Sequence, residues 1–364
     1  MTYDFAIVGA GIAGASLASE LVRGGARVLL LEAEDQAGYH ATGRSAAFWD
    51  ECYGGPEIVP LTLASGAYLR DHGFLRQRGA LYIGRPSDEA RLSDFMDRFS
   101  DTGAGIERVG ASILQEHVAG LRSNWTSGIW EPACSDIDVA ALHSHYLALC
   151  QKANVAFKSR AALRSASRCN DLWRLDCGTA GMLSASVLVN AAGAWADDVA
   201  AMAGVSRIGI QPLLRTVIQL RTDPAPAPEQ PLVLDISGNF YFKPEAGRLW
   251  LSPHDEVPSE PCDAAPEELA VATAIHRLEQ VVDWRIEAVE KRWAGLRSFA
   301  PDRLPVYGLD PRAEGFAWFA GQGGFGIQTA PAAARLVAQL LLGSAQDEMT
   351  NCLDASLYSP SRFG

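Results

Sequence analysis

The segment from Tyr3 to Glu32 constrains the fold more than any other. Tyr3-Asp4-Phe5-Ala6-Ile7-Val8 reads as a short buried strand, and Gly9-Ala10-Gly11-Ile12-Ala13-Gly14 follows at once. Ala15 to Arg23 has helical character and ends at Gly24-Gly25; Arg27 to Leu31 is a second apolar strand that closes on Glu32. A strand, a glycine turn of this spacing, a helix and a second strand make up a dinucleotide-binding unit. Gly9 admits the tight turn, Gly11 lets a pyrophosphate reach the backbone at the helix N-terminus, and Gly14 lets the helix pack close to the strand. Glu32 can accept hydrogen bonds from a ribose 2′-hydroxyl, and its charge argues against the 2′-phosphate of NADP. NAD and FAD both remain open.

The next residues favour the longer ligand. Residues 33–48 read AEDQAGYHATGRSAAF. Thr42, Arg44 and Ser45 offer donors, and Ala33, Ala41, Gly43, Ala46 and Ala47 permit close approach as far as Phe48. A NAD unit usually runs straight into its next helix here. A loop bearing an arginine after the ribose-binding acid suits FAD lying extended along the chain. The other reading is a solvent loop with a helix starting at Ser45.

Composition narrows the class. A chain of 364 residues is long enough for two domains, and its formal net charge of −12 weighs against nucleic acid and anionic membranes as partners. The seven cysteines are scattered with no C-x-x-C pair, so free thiols in a reducing compartment are expected. The seven histidines show no metal-binding spacing, and His143 and His145 are expected on different faces of one helix; no metal site is expected. There is no signal-peptide pattern and no apolar run of membrane-spanning length, so a cytoplasmic protein is expected.

Further along, strands are expected at residues 79–84, 155–157, 172–176 and 187–190, and helices at 61–69, 87–99, 196–202 and 138–153, the last capped by Asp136 or Asp138. The strand ending at Asn190 runs into Ala191-Ala192-Gly193-Ala194-Trp195, small residues that let a ligand come close. From Ile208 the texture changes to short runs separated by turns, which predicts a largely antiparallel sheet. Two proline-rich stretches, 222–231 and 253–268, read as surface loops, and Pro266 starts a helix with Leu269, Ala272, Ile275, Leu278 and Val282 as its apolar stripe. Phe316 to Ala320 is an aromatic strand. A second glycine turn, Gly321 to Gly326, then opens a helix whose positive N-terminus would face a reduced flavin ring, unless the turn is purely structural.

These motifs together resemble the amino-acid-oxidising flavoprotein family that includes D-amino acid, glycine and sarcosine oxidases, and within it the bacterial D-arginine dehydrogenases. GAGIAG, Glu32, GYHATGRSAAF and Tyr53-Gly54 carry the likeness. So do DIDVAALH (136–143), VLVNAAGAWADDVAAMAGV (187–205), NFYFKPEAG (239–247), WAGLRSFAPD (293–302) and GQGGFGIQTAPA (321–332), in the same order. The implied fold is α/β: an FAD-binding Rossmann-like domain with a mostly parallel sheet (1–48, 138–206, 293–364), interleaved with an α+β substrate domain on an antiparallel sheet (49–137, 207–292). The expected non-covalent FAD contacts are Gly9, Gly11, Ile12, Ala13, Gly14, Glu32, the 33 and 41–48 positions named above, Ala161, Ala192, Gly193, Trp195, Gly323, Gly324, Phe325, Gly326, Ile327, Gln328 and Thr329.

An amino acid substrate needs a cation for its carboxylate and hydroxyls near its amine. Arg297 is the expected clamp, since a guanidinium binds a carboxylate through two parallel hydrogen bonds; the resemblance gives it that role, and a structural ion pair is the alternative. By the same resemblance Arg215, Tyr53 and Tyr241 flank the substrate and Gly324 lies at the reacting centre, although a structural role stays open for Arg215 and a core position for each tyrosine. The cofactor carries the chemistry. The arginine-specific relatives have a histidine where Phe48 stands and a glutamate at the position aligned with Ala80, so a neutral or apolar side chain is expected. Phe48, Trp49, Tyr53, Ala80 and Leu81 are the expected walls, with Asp50 or Glu51 as the acids that could restore basic specificity. The electron acceptor stays open. N-methyl amino acid or 2-hydroxy acid oxidation, or a subunit of a larger complex, would fit the same motifs.

Overall fold

The computed structural model describes residues 2–364. An eight-stranded sheet is built around Thr2–Val8, which pairs in parallel with Val28–Leu31 on one side and Met182–Asn190 on the other. Ala156–Lys158 extends it in parallel beyond Val28–Leu31. The far half of Met182–Asn190 takes Phe316–Ala320 in parallel, while its near half carries the antiparallel strand Leu172–Asp176 and, beyond it, Ser165–Cys169. All of Val28–Leu31 and the last four residues of Thr2–Val8 are buried, as expected of a parallel strand covered on both faces. The helices Ile12–Arg23 and Ala330–Leu342 pack on this sheet through Leu17, Leu21, Leu336 and Val337.

The second sheet has ten strands and is antiparallel except where Leu232–Asp235 runs alongside Ala80–Gly84. Its spine is the pair Gln211–Asp223 and Arg285–Phe299, far longer than the short runs expected, and the second of them was not anticipated. Residues 285–292 alternate charged and half-exposed positions, and only the stretch from Ala294 is continuously buried, so no buried-strand pattern marks where it begins. The boundary expected at 293 therefore falls inside a single strand. One face of this sheet, with Ile218, Phe242 and Leu251, is covered by the helix Glu268–Glu279; the other, with Val217, Leu234 and Tyr241, meets Ala46, Phe48 and Cys52.

Other details correct the sequence reading. The first helix starts at Ile12, not Ala15, because the glycine turn is tighter than assumed. The helix Glu268–Glu279 buries Val271, Ala274 and Leu278; of the expected stripe Leu278 and Val282 are buried and Ile275 packs beside them, while Leu269 is 76% exposed and Ala272 also faces out. Residues 33–47 form turns with no helix at Ser45. The second glycine turn is followed by further turns, and its helix begins only at Ala330. Asp138 is the cap of Val139–Lys152, accepting from the Ala141 N–H, whereas Asp136 pairs with Arg78 and Lys243.

Candidate active site

A cavity of about 400 Å³ opens at the C-terminal ends of the parallel strands, where ligands bind open α/β sheets. Gly9, Gly11, Ile12 and Ala13 line it at the first turn. Gly9 sits at φ +103°, and a Cβ there would come within 2.4 Å of the Ala191 carbonyl oxygen; at Gly14 a Cβ would meet the Gly9 carbonyl oxygen at 1.8 Å. Only glycine at these positions lets the turn pack against Ala191 and the helix close onto the turn. Thr42 Oγ1 accepts the Ile12 N–H at 3.0 Å, which ties the following loop to the helix N-terminus. Glu32 stands at the end of its strand with its carboxylate braced by the Ala10 N–H at 3.1 Å and the Glu34 N–H at 3.0 Å. Each oxygen keeps a lone pair for a ribose hydroxyl. His143 is buried against Gly38, places Nε2 2.9 Å from the Ala10 carbonyl oxygen and supports the turn from behind; burial draws its pKa down.

Of the expected cofactor contacts, Ala33, Ala41, Thr42, Arg44, Ser45, Ala161, Ala192, Gly193, Trp195, Gly323, Gly324, Gly326 and Ile327 also line this cavity. Gly14, Gly43, Ala46, Ala47, Phe48, Phe325, Gln328 and Thr329 do not. Gly14 and Gly43 serve backbone approach, Phe48 turns toward the second sheet, and Gln328 is spent on the Asp50 and Tyr53 carbonyls and Thr62. Arg44 reaches the wall, but its guanidinium is held by Asp263 and by the Ala264 carbonyl at 2.9 Å, and Tyr39 also donates to Asp263. The proline-rich stretch 253–268 is thus more than a surface loop: it places Cys262 and Ala264 on the cavity wall. Nothing local in sequence signals this, because the tie to Arg44 spans 219 residues.

Arg297 lines the same cavity from the ten-stranded sheet. It is 8% exposed and, among the described residues, makes no ion pair or hydrogen bond. Burial draws its pKa below the usual arginine range, and Arg215 adds to this. Arg215 is equally deep but satisfied: it donates to the Asp255 carbonyl at 2.9 Å and pairs with Glu256 at 3.2 Å. Burial opposes its charge, yet Tyr53, Tyr241, Glu256 and Asp255 together hold it above the usual range. Tyr53 lies on the second glycine turn, where a Cβ on Gly324 would fall 1.9 Å from its hydroxyl oxygen. Its ring is 5.5 Å from Phe48, whose ring is 5.7 Å from Tyr241. The five expected catalytic positions therefore converge, although Tyr53, Arg215 and Tyr241 stand outside the large cavity itself.

Tyr53 instead lines a second cavity of about 210 Å³, walled by Tyr82, Phe95, Phe99, Leu234 and Ile236 and also by the charged Arg98 and Asp235. Of the five expected walls only Tyr53 lines it; Phe48 and Ala80 pack in the apolar cluster with Tyr82 and Leu234. Trp49 points away, donating to the Thr62 carbonyl, and Leu81 faces the opposite side of its strand. His254, which no sequence signal singled out, lines this cavity with its ring 5.6 Å from Tyr241. Burial, with the charges of Arg215, Arg303 and Arg297, brings its pKa down to about 3. Asp50 and Glu51 do not reach either substrate wall as free acids: Asp50 accepts from Tyr82 and Cys52, and Glu51 from Gly105.

Among the described residues no helix is long and apolar enough to cross a membrane. The model of the family described as FAD dependent oxidoreductase, DAO, matches residues 4–340. Curated relatives include FAD-dependent oxidoreductase domain-containing protein 1 of Mus musculus, 28% identical over 173 residues, which is 43% of this chain and 36% of that protein. The match thus spans about a third of that relative's length. Glycine oxidase of Geobacillus kaustophilus is 26% identical over 360 residues, 93% of each chain. The crystal structure of glycine oxidase from that organism superposes with a TM-score of 0.85 over 99% of both chains at 23% identity. L-Proline dehydrogenase from P. horikoshii gives 0.87 over 100% and 98% at 20% identity. The glycine cradle, the acid at the strand end and the long cavity fit an extended FAD, and the chain belongs to the DAO family of FAD-dependent oxidoreductases.

Proposed function

We propose that this chain oxidises the α-amine of a D-amino acid with a neutral or apolar side chain, giving an imino acid that water hydrolyses to a 2-oxo acid and ammonia. The carrying observation is Arg297: a buried guanidinium with no partner, on the wall shared with both glycine turns. A buried cation without a counter-ion is costly, and a substrate carboxylate would remove that cost. Bound FAD supplies the hydride acceptor for the substrate Cα–H.

The residues divide the remaining work. Arg297 holds the carboxylate and so fixes Cα relative to the glycine turn at Gly323-Gly324. Tyr53 and Tyr241 present hydroxyls near the amine and shield it from water. Arg215, which shares the single carboxylate of Glu256 with Arg303, adds positive potential that favours the uncharged amine, the form that can lose hydride. The second cavity, with Phe95, Phe99, Leu234 and Ile236, suits an apolar side chain, which gains about 25 cal/mol for each Å² removed from water. The full-length similarity to a glycine oxidase supports an amino acid donor, and the resemblance to D-arginine dehydrogenases supports the D configuration. The one carboxylate on that wall, Asp235, is already engaged by Ser237 and Asn239, and Arg98 on the same wall opposes a guanidinium side chain. Anaerobic mixing of the FAD-loaded protein with D-amino acids tests the reading: the oxidised-flavin colour must bleach.

A further inference from the structure

We infer that Glu131 is a positioning residue, which shares one proton with Asp50 and through it holds Tyr53 against Gly324. The inference rests on the reading above that Tyr53 stands at the substrate site. Glu131 lies directly across the ladder from Ala80, and both its side chain and that of Asp50 are fully buried. Neither acid has a cation partner among the described residues, since Arg78 and Lys243, the basic groups beyond Cys134, are engaged with Asp136.

The hydrogen bonds assign the proton. Asp50 accepts from the Tyr82 hydroxyl at 2.6 Å and the Cys52 N–H at 2.9 Å. Glu131 Oε1 accepts the Glu51 N–H at 2.7 Å, while its Oε2 has no partner unless it carries hydrogen. The Asp50 and Glu131 carboxylates face each other with oxygens within 4.8 Å. Two ionised carboxylates so placed would repel each other in a dry site, so one must be neutral. Glu131 as the acid donates from Oε2–H to Asp50, and every polar atom is then satisfied. Burial pushes both groups up, Glu131 further because the Asp50 charge faces it. Glu51, Cys52, Tyr82 and Cys134 are the other titratable groups around the pair, and burial also holds the Cys134 thiol protonated.

The consequence is mechanical. Residues 50–53 are held on their N–H side by this pair, at Glu51 and Cys52, and on their carbonyl side by Gln328 Nε2, 3.1 Å from Asp50 O and 3.3 Å from Tyr53 O. Beyond Tyr53 the chain leaves through Gly54 and Gly55, which have no side chains to hold it. The acid pair and Gln328 therefore together fix the approach of Tyr53 to the second glycine turn.

The test uses the FAD-loaded full chain. The infrared spectrum in D₂O should show a protonated carboxyl band at neutral pH, and Glu131→Gln, which keeps both an acceptor and a donor, should abolish it. Glu131→Gln should keep the wild-type KM within about twofold, whereas Glu131→Ala should raise KM on the order of tenfold, as for about one buried hydrogen bond lost. In a Tyr53→Ala background, Glu131→Ala should add nothing further to KM. A band that persists in Glu131→Gln overturns the shared proton, and an undiminished KM effect in the Tyr53→Ala background overturns positioning through Tyr53. If Tyr53→Ala alone leaves KM unchanged, the placement of Tyr53 at the substrate fails and the positioning role with it. The band, read without substrate, separates that failure from loss of the proton pair. Should Glu131→Ala not fold, Asp50→Asn supplies the same comparison.

Discussion

Arg215 and Arg297 stand diagonally across one antiparallel ladder, Arg215 opposite Gly295 and Arg297 opposite Leu213, and only Arg215 has a carboxylate beside it. Gly295 faces Arg297 closely, the Arg297 Nη1 lying 3.7 Å from where a Cβ would stand. The unpaired member is the expected clamp. Arg297→Ala should leave FAD bound and weaken substrate by about 30- to 1000-fold, since removing one side of a buried charge pair costs about 2–5 kcal/mol. Steady-state kinetics of the variant check this, and values within about twofold of wild type would move the clamp to Arg215.

Gly324→Ala separates the two halves of the site. Its Cβ would meet the Tyr53 hydroxyl at 1.9 Å, so the tyrosine must move. KM should rise severalfold with FAD occupancy unchanged. Gly9→Ala, which collides with backbone at 2.4 Å, should instead yield protein depleted of FAD. Flavin-to-protein absorbance ratios and KM distinguish the two.

His254 gives a pH signature. Its folded-state pKa, near 3, lies below the ordinary 6.5, so the unfolded chain binds a proton that the folded chain does not. The neutral-imidazole contribution is complete above pH 6.5 and is lost as pH falls toward 3. Between these limits it falls by up to about 1.4 kcal/mol per pH unit. His254 also sits at φ +54°, a conformation that asparagine tolerates. Unfolding free energies of His254→Asn and wild type should therefore diverge on acidification, the variant losing less; parallel curves would contradict the assignment.

FAD should come away intact on acid precipitation. Cys262 is a free thiol on the cavity wall, which makes the outcome informative. Yellow colour retained in the washed pellet would mean covalent attachment there.

The nucleotide half was legible because its signals are local. Gly9, Gly11, Gly14 and Glu32 lie within one turn-helix-strand unit, and each glycine is explained by a contact that a Cβ would break. The antiparallel sheet was legible as a class but not in its extents, since residues 285–292 are charged and half-exposed and only tertiary pairing makes them a strand. Arg297, Tyr53 and Tyr241 came through resemblance, while His254, the Cys262–Ala264 wall and the Asp50–Glu131 pair were missed. Each depends on segments far apart in sequence meeting in space, as Ala80 meets Glu131 and Arg44 meets Asp263. Trp49 and Leu81 were misassigned because alternation along a strand gives two faces and does not say which one lines a pocket.

Anaerobic flavin reduction with matched D-methionine, L-methionine and D-arginine tests the central claim most directly. Rapid bleaching by D-methionine is expected, little by its enantiomer, and slow bleaching by D-arginine, because a buried guanidinium would lose its hydration against Phe95, Phe99 and Leu234 while Asp235 is held by Ser237 and Asn239 and Arg98 stands on the same wall. Fastest bleaching by D-arginine would contradict the side-chain reading, and a flavin left oxidised by every amino acid would contradict the proposed activity itself.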